Sequence, residues 1–150
     1  DGSENPGFVL NQAPYRKAQI LVAGANFGCG SSREHAAWAL TDAGFRAVVA
    51  PSFADIFRNN AVGNGLVPVA ISEAAVNTIL DRADSGSGYE LTIDLERCEV
   101  RDGHGLRERF AFDEASRQRL LEGKDEIDLI LANDAEIGAF ERRRADRIHL

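Results

Sequence analysis

Methionine is absent throughout, position 1 included, and there are only two cysteines, one tryptophan and three histidines. Each shortage closes off a class of function. Cys29 and Cys98 are distant in sequence and share no zinc-finger spacing with each other or with a histidine. An iron–sulfur cluster typically takes about three or four thiolates, so this chain cannot hold one by itself. No apolar run approaches the roughly 18 residues that would span a bilayer; the best, residues 18–24 and 47–51, have the length of strands. No charged–apolar–small secretory pattern opens the chain. These absences predict a soluble, cytoplasmic protein, in which a structural disulfide is not expected. Basic residues are the minority as well, 17 Lys and Arg against 24 Asp and Glu, for a net charge of −7. A surface of that sign repels phosphate backbones and argues against a generic nucleic-acid binder. A single Arg can still take a small anion. The one basic run, Arg142-Arg143-Arg144, lies between Glu141 and Asp146 and reads as a solvated helix face.

What is present is a chain of 150 residues, 44% hydrophobic, enough for one globular core. With no internal repeat and no linker composition, residues 1–150 read as one domain, of which 1–16 are irregular and punctuated by Pro6 and Pro14. The opening, Asp1-Gly2-Ser3-Glu4-Asn5-Pro6-Gly7, reads as a loop from inside a longer protein. Residues 18–24 form a continuous apolar run of buried-strand type. A Gly/Ser-rich turn over 25–32 follows, then a helix over 33–43 with Ala36, Ala37, Leu40 and Ala43 on one face, stopped by Gly44. A second strand over 46–50, a helix from Pro51-Ser52 to about Asn60, a turn at Asn64-Gly65 and a third strand over 66–71 complete a β-α-β-α-β series. That order predicts parallel strands with helical crossovers. After a helix over 72–83 and a turn over 84–88, the pattern changes to an alternating strand over 89–95. A partner strand over 97–101, a turn at Asp102-Gly103-His104-Gly105 and a strand over 107–112 continue it. Helices over 113–122, 125–131 and 134–140 close the chain. Trp38 and Phe45 are assigned to the core by default, and Cys29 to packing.

The most unusual stretch is Gly24-Ala25-Asn26-Phe27-Gly28-Cys29-Gly30-Ser31-Ser32-Arg33-Glu34-His35, with three glycines in its first seven residues. Glycine lets a backbone turn sharply and approach a ligand, and a strand before with a helix after puts N–H groups where anions are favoured. A dinucleotide fingerprint fails, because Arg33 stands where glycine is needed for close helix–strand packing and no acid follows the next strand. A P-loop fails for want of a Lys after the last glycine. A carboxylate site remains: Arg33 in the first helical turn opposes the dipole unless an anion pairs with it, and a guanidinium grips a carboxylate through two parallel hydrogen bonds. A purely structural alternative stays open, since Ser31-Ser32-Arg33-Glu34 also fits a capping box with Ser31 as N-cap.

Gly28-Cys29-Gly30-Ser31-Ser32-Arg33-Glu34-His35-Ala36 resembles the signature of the swivel domain in aconitase-type hydro-lyases. Pro51-Ser52-Phe53-Ala54-Asp55-Ile56-Phe57-Arg58-Asn59-Asn60, followed by Asn64-Gly65-Leu66-Val67-Pro68, is similar to the 3-isopropylmalate dehydratase small-subunit branch of that family, and so are Asn5-Pro6 and Phe8-Val9-Leu10-Asn11. The match is dense over residues 5–71. It implies a swivelling β/β/α fold of the aconitase C-terminal type, with a parallel β-α-β-α-β core followed by antiparallel strands and C-terminal helices. It also implies a lyase of leucine biosynthesis that interconverts 2- and 3-isopropylmalate by dehydration and rehydration. In such an enzyme this chain binds no cofactor itself. A large-subunit partner carries the [4Fe–4S] cluster, and the two form a heterodimer.

By position, the resemblance makes Ser31 the catalytic base and gives substrate binding to Arg33, Ser32 and Gly30. A serine oxyanion in this role would be stabilised by the donors of the glycine-rich loop and the helix N-terminus. His35, Arg58, Asn59 and Asn60 remain as candidates for supporting the site or the subunit interface, with Arg58 read as a cation at the C-terminal end of its helix. His104 and His149 read as solvated. The resemblance further implies an upstream segment, tied to substrate choice, that this sequence does not contain. Small subunits acting on homoaconitate, citraconate or dimethylmalate therefore stay open, as does a non-catalytic binding module.

Overall fold

The computed structural model describes residues 4–13, 15–30, 33–85, 88–123 and 134–145. Ser31, Ser32, the predicted helix over 125–131 and His149 lie outside them.

The first half is the predicted β-α-β-α-β series. Strands β1 (Ile20–Val22), β2 (Ala47–Ala50) and β3 (Val67–Ala70) lie side by side in chain order, all parallel. Helices α1 (His35–Asp42) and α2 (Asp55–Gly63) make the crossovers. β2 is buried at every residue because it is central and covered on both faces. Its alternation sorts the core. Val48 faces a cluster with Phe45, Phe57, Ala61 and Leu66, on the side of α1 and α2. Val49 faces the opposite cluster, with Val69, Ile71, Ala75, Val76, Ile79, Val100 and Phe110. That second side is covered by helix α3 (Glu73–Asp84) and a second sheet. Its strands β4 (Leu91–Asp94), β5 (Glu99–Asp102) and β6 (Arg107–Arg109) form an antiparallel meander, with Leu91 opposite Asp102 and Glu99 opposite Arg109. Helices α4 (Glu114–Glu122) and α5 (Asp134–Ala145) follow.

Local signals set most boundaries. Ser72 caps α3 by accepting the Ala75 N–H, and Asp113 caps α4 by accepting that of Ser116 at 2.9 Å. Gly44 follows α1 at φ 97°, the left-handed turn that glycine permits. Arg142, Arg143 and Arg144 are exposed on α5, in keeping with a solvated face.

Asp102 ties the second half together. Its side chain is completely buried yet accepts four hydrogen bonds: from the Arg82 guanidinium, from the Tyr89 hydroxyl at 2.7 Å, and from the His104 and Leu106 N–H groups at 2.8 Å each. Burial alone would raise its carboxyl pKa. The hydrogen bonds from Tyr89, the two amides and Arg82 outweigh burial and hold it far below the usual carboxylate range. Tyr89 is pushed up to about 12, first by burial and then by the adjacent carboxylate.

Three expectations are corrected. Trp38 is not a core residue: it is 42% exposed, because its indole N–H reaches out to Asn64 Oδ1 at 2.8 Å. Cys29 is exposed rather than packed. Helix α2 starts at Asp55, not at Pro51-Ser52, so Arg58 lies in its first half and gains nothing from the C-terminal dipole.

Candidate active site

The glycine-rich loop leaves β1 and is held by the segment that leads into α2. Asn26 N–H donates to Ser52 Oγ at 2.8 Å, Phe27 N–H to the Ser52 carbonyl at 3.0 Å, and Ala54 N–H to the Phe27 carbonyl at 2.9 Å. Phe27 and Phe53 thereby form an isolated parallel bridge. This pairing explains the late start of α2: residues 51–54 run extended to serve as a rail for the loop. The aromatic rings reinforce it. Phe27 meets Phe57 edge-on at 5.1 Å and Phe53 edge-on at 6.2 Å between centroids, contacts worth roughly 0.5–1.5 kcal/mol each beyond their buried area.

The glycines of the loop differ in kind. Gly28 adopts φ 84°, and a Cβ there would stand 2.3 Å from Phe57 Cγ, so both conformation and packing demand glycine. Gly30 has neither constraint. It is exposed, and an added Cβ would meet no described atom within 4 Å.

Beyond the loop, α1 begins at His35, with Glu34 at its N-cap. Arg33 is exposed and stands just before the helix rather than inside its first turn, still at the positive end of the dipole. The Glu34 side chain makes no cap bond; it accepts instead from Asn64 Nδ2 at 2.9 Å. With α1 starting at His35, the N-cap position falls on Glu34 and not on Ser31, which lies outside the described residues. Asn64, at the C-cap of α2, also donates through Nδ2 to the Asn60 carbonyl at 2.8 Å and accepts the Trp38 indole N–H. His35 is exposed and rests against the Trp38 ring, 4.6 Å between centroids. In the sequence Asn64 reads as a turn residue within the family-like string, not as a bridge between helices. Its glycine neighbour accounted for it fully, and its partners lie 30 and 26 positions away.

Gly30, Arg33 and His35 are each exposed, whereas Arg58 and Asn59 belong to a cleft that none of them lines. Those two line the cleft, of about 750 Å³, with Asp55 and Val62 of α2 and with Phe112, Asp113, Ser116 and Arg119 at the start of α4. Asn60 contributes its carbonyl to Asn64 rather than its side chain to a pocket. Among the described residues no group of three or more His, Cys, Asp or Glu is placed to hold a metal ion. Cys29 and Cys98 are both free thiols.

Comparison with known proteins gives the following likenesses. The Aconitase C-terminal domain model matches residues 1–74, and the LeuD_N model residues 77–114. The 3-isopropylmalate dehydratase small subunit of Rhodospirillum rubrum is 52% identical over 145 residues, covering 97% of this chain and 70% of the relative. That of Acidobacterium capsulatum is 50% identical over 150 residues, covering 100% of this chain and 73% of the relative. In three dimensions the chain is similar to the crystal structure of 3-isopropylmalate dehydratase from Methanocaldococcus jannaschii, with a TM-score of 0.60 and 29% identity. That match covers 80% of this chain and 67% of the other.

Proposed function

The chain belongs to the 3-isopropylmalate dehydratase small-subunit family, and from that premise we propose that it forms the carboxylate-binding wall of a two-subunit hydro-lyase that interconverts 2- and 3-isopropylmalate in leucine biosynthesis. The observation that carries the reading is the contrast between Gly28 and Gly30. Gly28 is bare because Phe57 fills the space, whereas no described atom of this chain requires Gly30 to be bare. A position that no described atom keeps bare suits one that something outside must approach, and Arg33, three positions on, is exposed.

In this reading Arg33 holds a substrate carboxylate through its planar fork, with Ser32 and the Gly30 N–H assisting. Ser31 takes the proton from the carbon next to a carboxylate. His35 belongs to the same entrance, and Asn60 supports it through its carbonyl. Arg58 and Asn59, in the cleft between α2 and α4, are assigned to the contact with the large subunit. Residues 1–150 act as one swivel domain.

A small subunit implies a large one. The donors here do not fit an iron–sulfur cluster: the chain has two cysteines, and the described residues contain no metal-ligand group. The reading therefore puts the [4Fe–4S] cluster on the partner, where it supplies a Lewis-acid position for the substrate hydroxyl, and no step assigned to this chain runs through it. Among the described residues no helix is long and apolar enough to cross a membrane. The reading places the heterodimer in the cytoplasm, free of membrane and nucleic acid.

The test is reconstitution with a cluster-loaded large subunit and an assay of isopropylmalate isomerisation. Activity should appear only in the mixture, and Ser31→Ala should lower kcat roughly 10²–10⁴-fold, the range of a general base. Full activity of that variant removes Ser31 from the chemistry. Faster turnover of homoaconitate, citraconate or dimethylmalate moves the chain to a sister enzyme.

A further inference from the structure

We infer that Asn64 is a positioning residue for the substrate-binding loop, because its side-chain amide ties Glu34, the residue directly after Arg33, to the end of α2. The inference rests on the proposed role of Arg33 and adds to it what holds that residue in place.

The geometry is specific. Asn64 Nδ2 has two hydrogens and uses both, on Glu34 Oε1 at 2.9 Å and the Asn60 carbonyl at 2.8 Å. Its Oδ1 accepts from Trp38 Nε1 at 2.8 Å. One amide thus touches α1 at its N-cap and again one turn later, and anchors both contacts to the last turn of α2. Glu34 makes no cap bond of its own, and its side chain is held instead by this cross-helix link. The other end of the loop has a separate anchor, the Ser52–Phe53 rail. The leader of α2 thus holds Asn26 and Phe27, and the end of α2 holds Glu34, the residue next to Arg33. A guanidinium that must meet a carboxylate through two parallel bonds is sensitive to small displacements of its backbone.

The experiment uses the reconstituted holoenzyme. Asn64→Asp keeps the acceptor for Trp38 but faces Glu34 with an acceptor instead of a donor. It should raise KM for isopropylmalate on the order of tenfold, with the fraction of assembled heterodimer and kcat per heterodimer within about twofold of the parent. Glu34→Gln, added to Asn64→Asp, returns a donor between the two side chains and should recover most of the KM. Glu34→Ala cuts the same link from an exposed side chain and gives the result if Asn64→Asp does not fold. An unchanged KM in Asn64→Asp or Glu34→Ala overturns the inference. So does a raised KM without recovery in the double variant, or a loss confined to assembled enzyme at constant KM. Arg33→Lys serves as control. If its KM is also unchanged, the carboxylate role fails and the inference falls with it; if its KM rises while those of the Asn64 and Glu34 variants do not, only the inference fails.

Discussion

The ring of Phe57 occupies the space that a side chain at Gly28 would need: a Cβ there would come within 2.3 Å of Phe57 Cγ and 2.4 Å of its Cβ. Because Phe57 is buried and meets Phe27 edge-on, it has no room to retreat. Gly28→Ala should therefore combine overpacking with a left-handed φ of 84°. The expected cost is about 3 kcal/mol, near 10 °C in thermal midpoint for a domain of this size. Calorimetry of the isolated chain measures it. A midpoint within 2 °C of the parent, on that same scale, would show that the loop yields easily.

Gly30→Ala should behave in the opposite way. With no described atom within 4 Å of the added methyl, the melting temperature should hardly move. In the reconstituted enzyme KM should rise, since the methyl would occupy the approach to the proposed carboxylate site. Equal KM values for parent and variant would take Gly30 out of the substrate contact.

The contrast between these two glycines was not legible in the sequence, where both belonged to one flexible run. What could be read was whatever local pattern decides. The apolar residues 47–50 announced a buried strand, Gly44 and Gly65 marked turns, and Ser72 and Asp113 marked helix starts, all as observed. The errors share a cause: a local signal overridden by a distant partner. Ser52 looked like a helix start, but its hydroxyl accepts the Asn26 N–H and its segment stays extended. Arg33 read as a residue of the first helical turn, but α1 starts only at His35, and the Glu34 carboxylate accepts from Asn64, 30 positions away. Trp38 was assigned inward on hydrophobicity, although its N–H needs an acceptor and finds one at the surface. The site motif itself was recognisable as a string. Which of its residues pack inward and which stay open depends on α2, and spacing alone does not carry that information.

Ser52→Ala tests the rail. Losing the acceptor of the Asn26 N–H should cost about 1 kcal/mol at most, since that amide can turn to water. The loop would lose definition more than the fold loses stability. Urea unfolding should show a small shift in midpoint, while KM in the reconstituted enzyme should rise severalfold. A fall in stability without any change in KM would mean that the loop is held well enough by the Phe27–Phe53 bridge alone.

Cys29 offers a chemical probe of the same loop. It is exposed two positions before Ser31, whereas Cys98 is half-buried beside Leu95, its Sγ 3.6 Å from the Leu95 carbonyl. Two thiols should therefore react with a maleimide in two phases. Cys29→Ser should remove the fast phase. Labelling in that phase should block isomerisation after reconstitution, and saturating isopropylmalate should protect the assembled enzyme. Full activity after complete Cys29 labelling would place the substrate away from this loop.

The Tyr89–Asp102 pair predicts how stability depends on pH at both extremes. The Asp102 carboxyl lies below its unfolded value of about 3.9, so the folded state binds that proton less readily than the unfolded chain. Its contribution is complete above that value and drains away as pH falls through the depressed folded pKa. Tyr89 runs the other way. With its pKa pushed up to about 12, it keeps its proton in the fold after an unfolded tyrosine, near 10, has lost it. Stability from Tyr89 is therefore intact below about pH 10 and declines as pH climbs toward 12. Asp102→Asn puts an amide N–H against donors inside a completely buried site, and should cost about 3 kcal/mol at neutral pH. It should also flatten the acid limb of the stability curve. Tyr89→Phe should flatten the alkaline limb and also shrink the acid limb without abolishing it, because Tyr89 is the foremost of the donors that lower the Asp102 carboxyl while Arg82 and the His104 and Leu106 amides still face it. Urea unfolding from pH 2 to 12 separates the two. An alkaline limb that persists in Tyr89→Phe would assign it to another group.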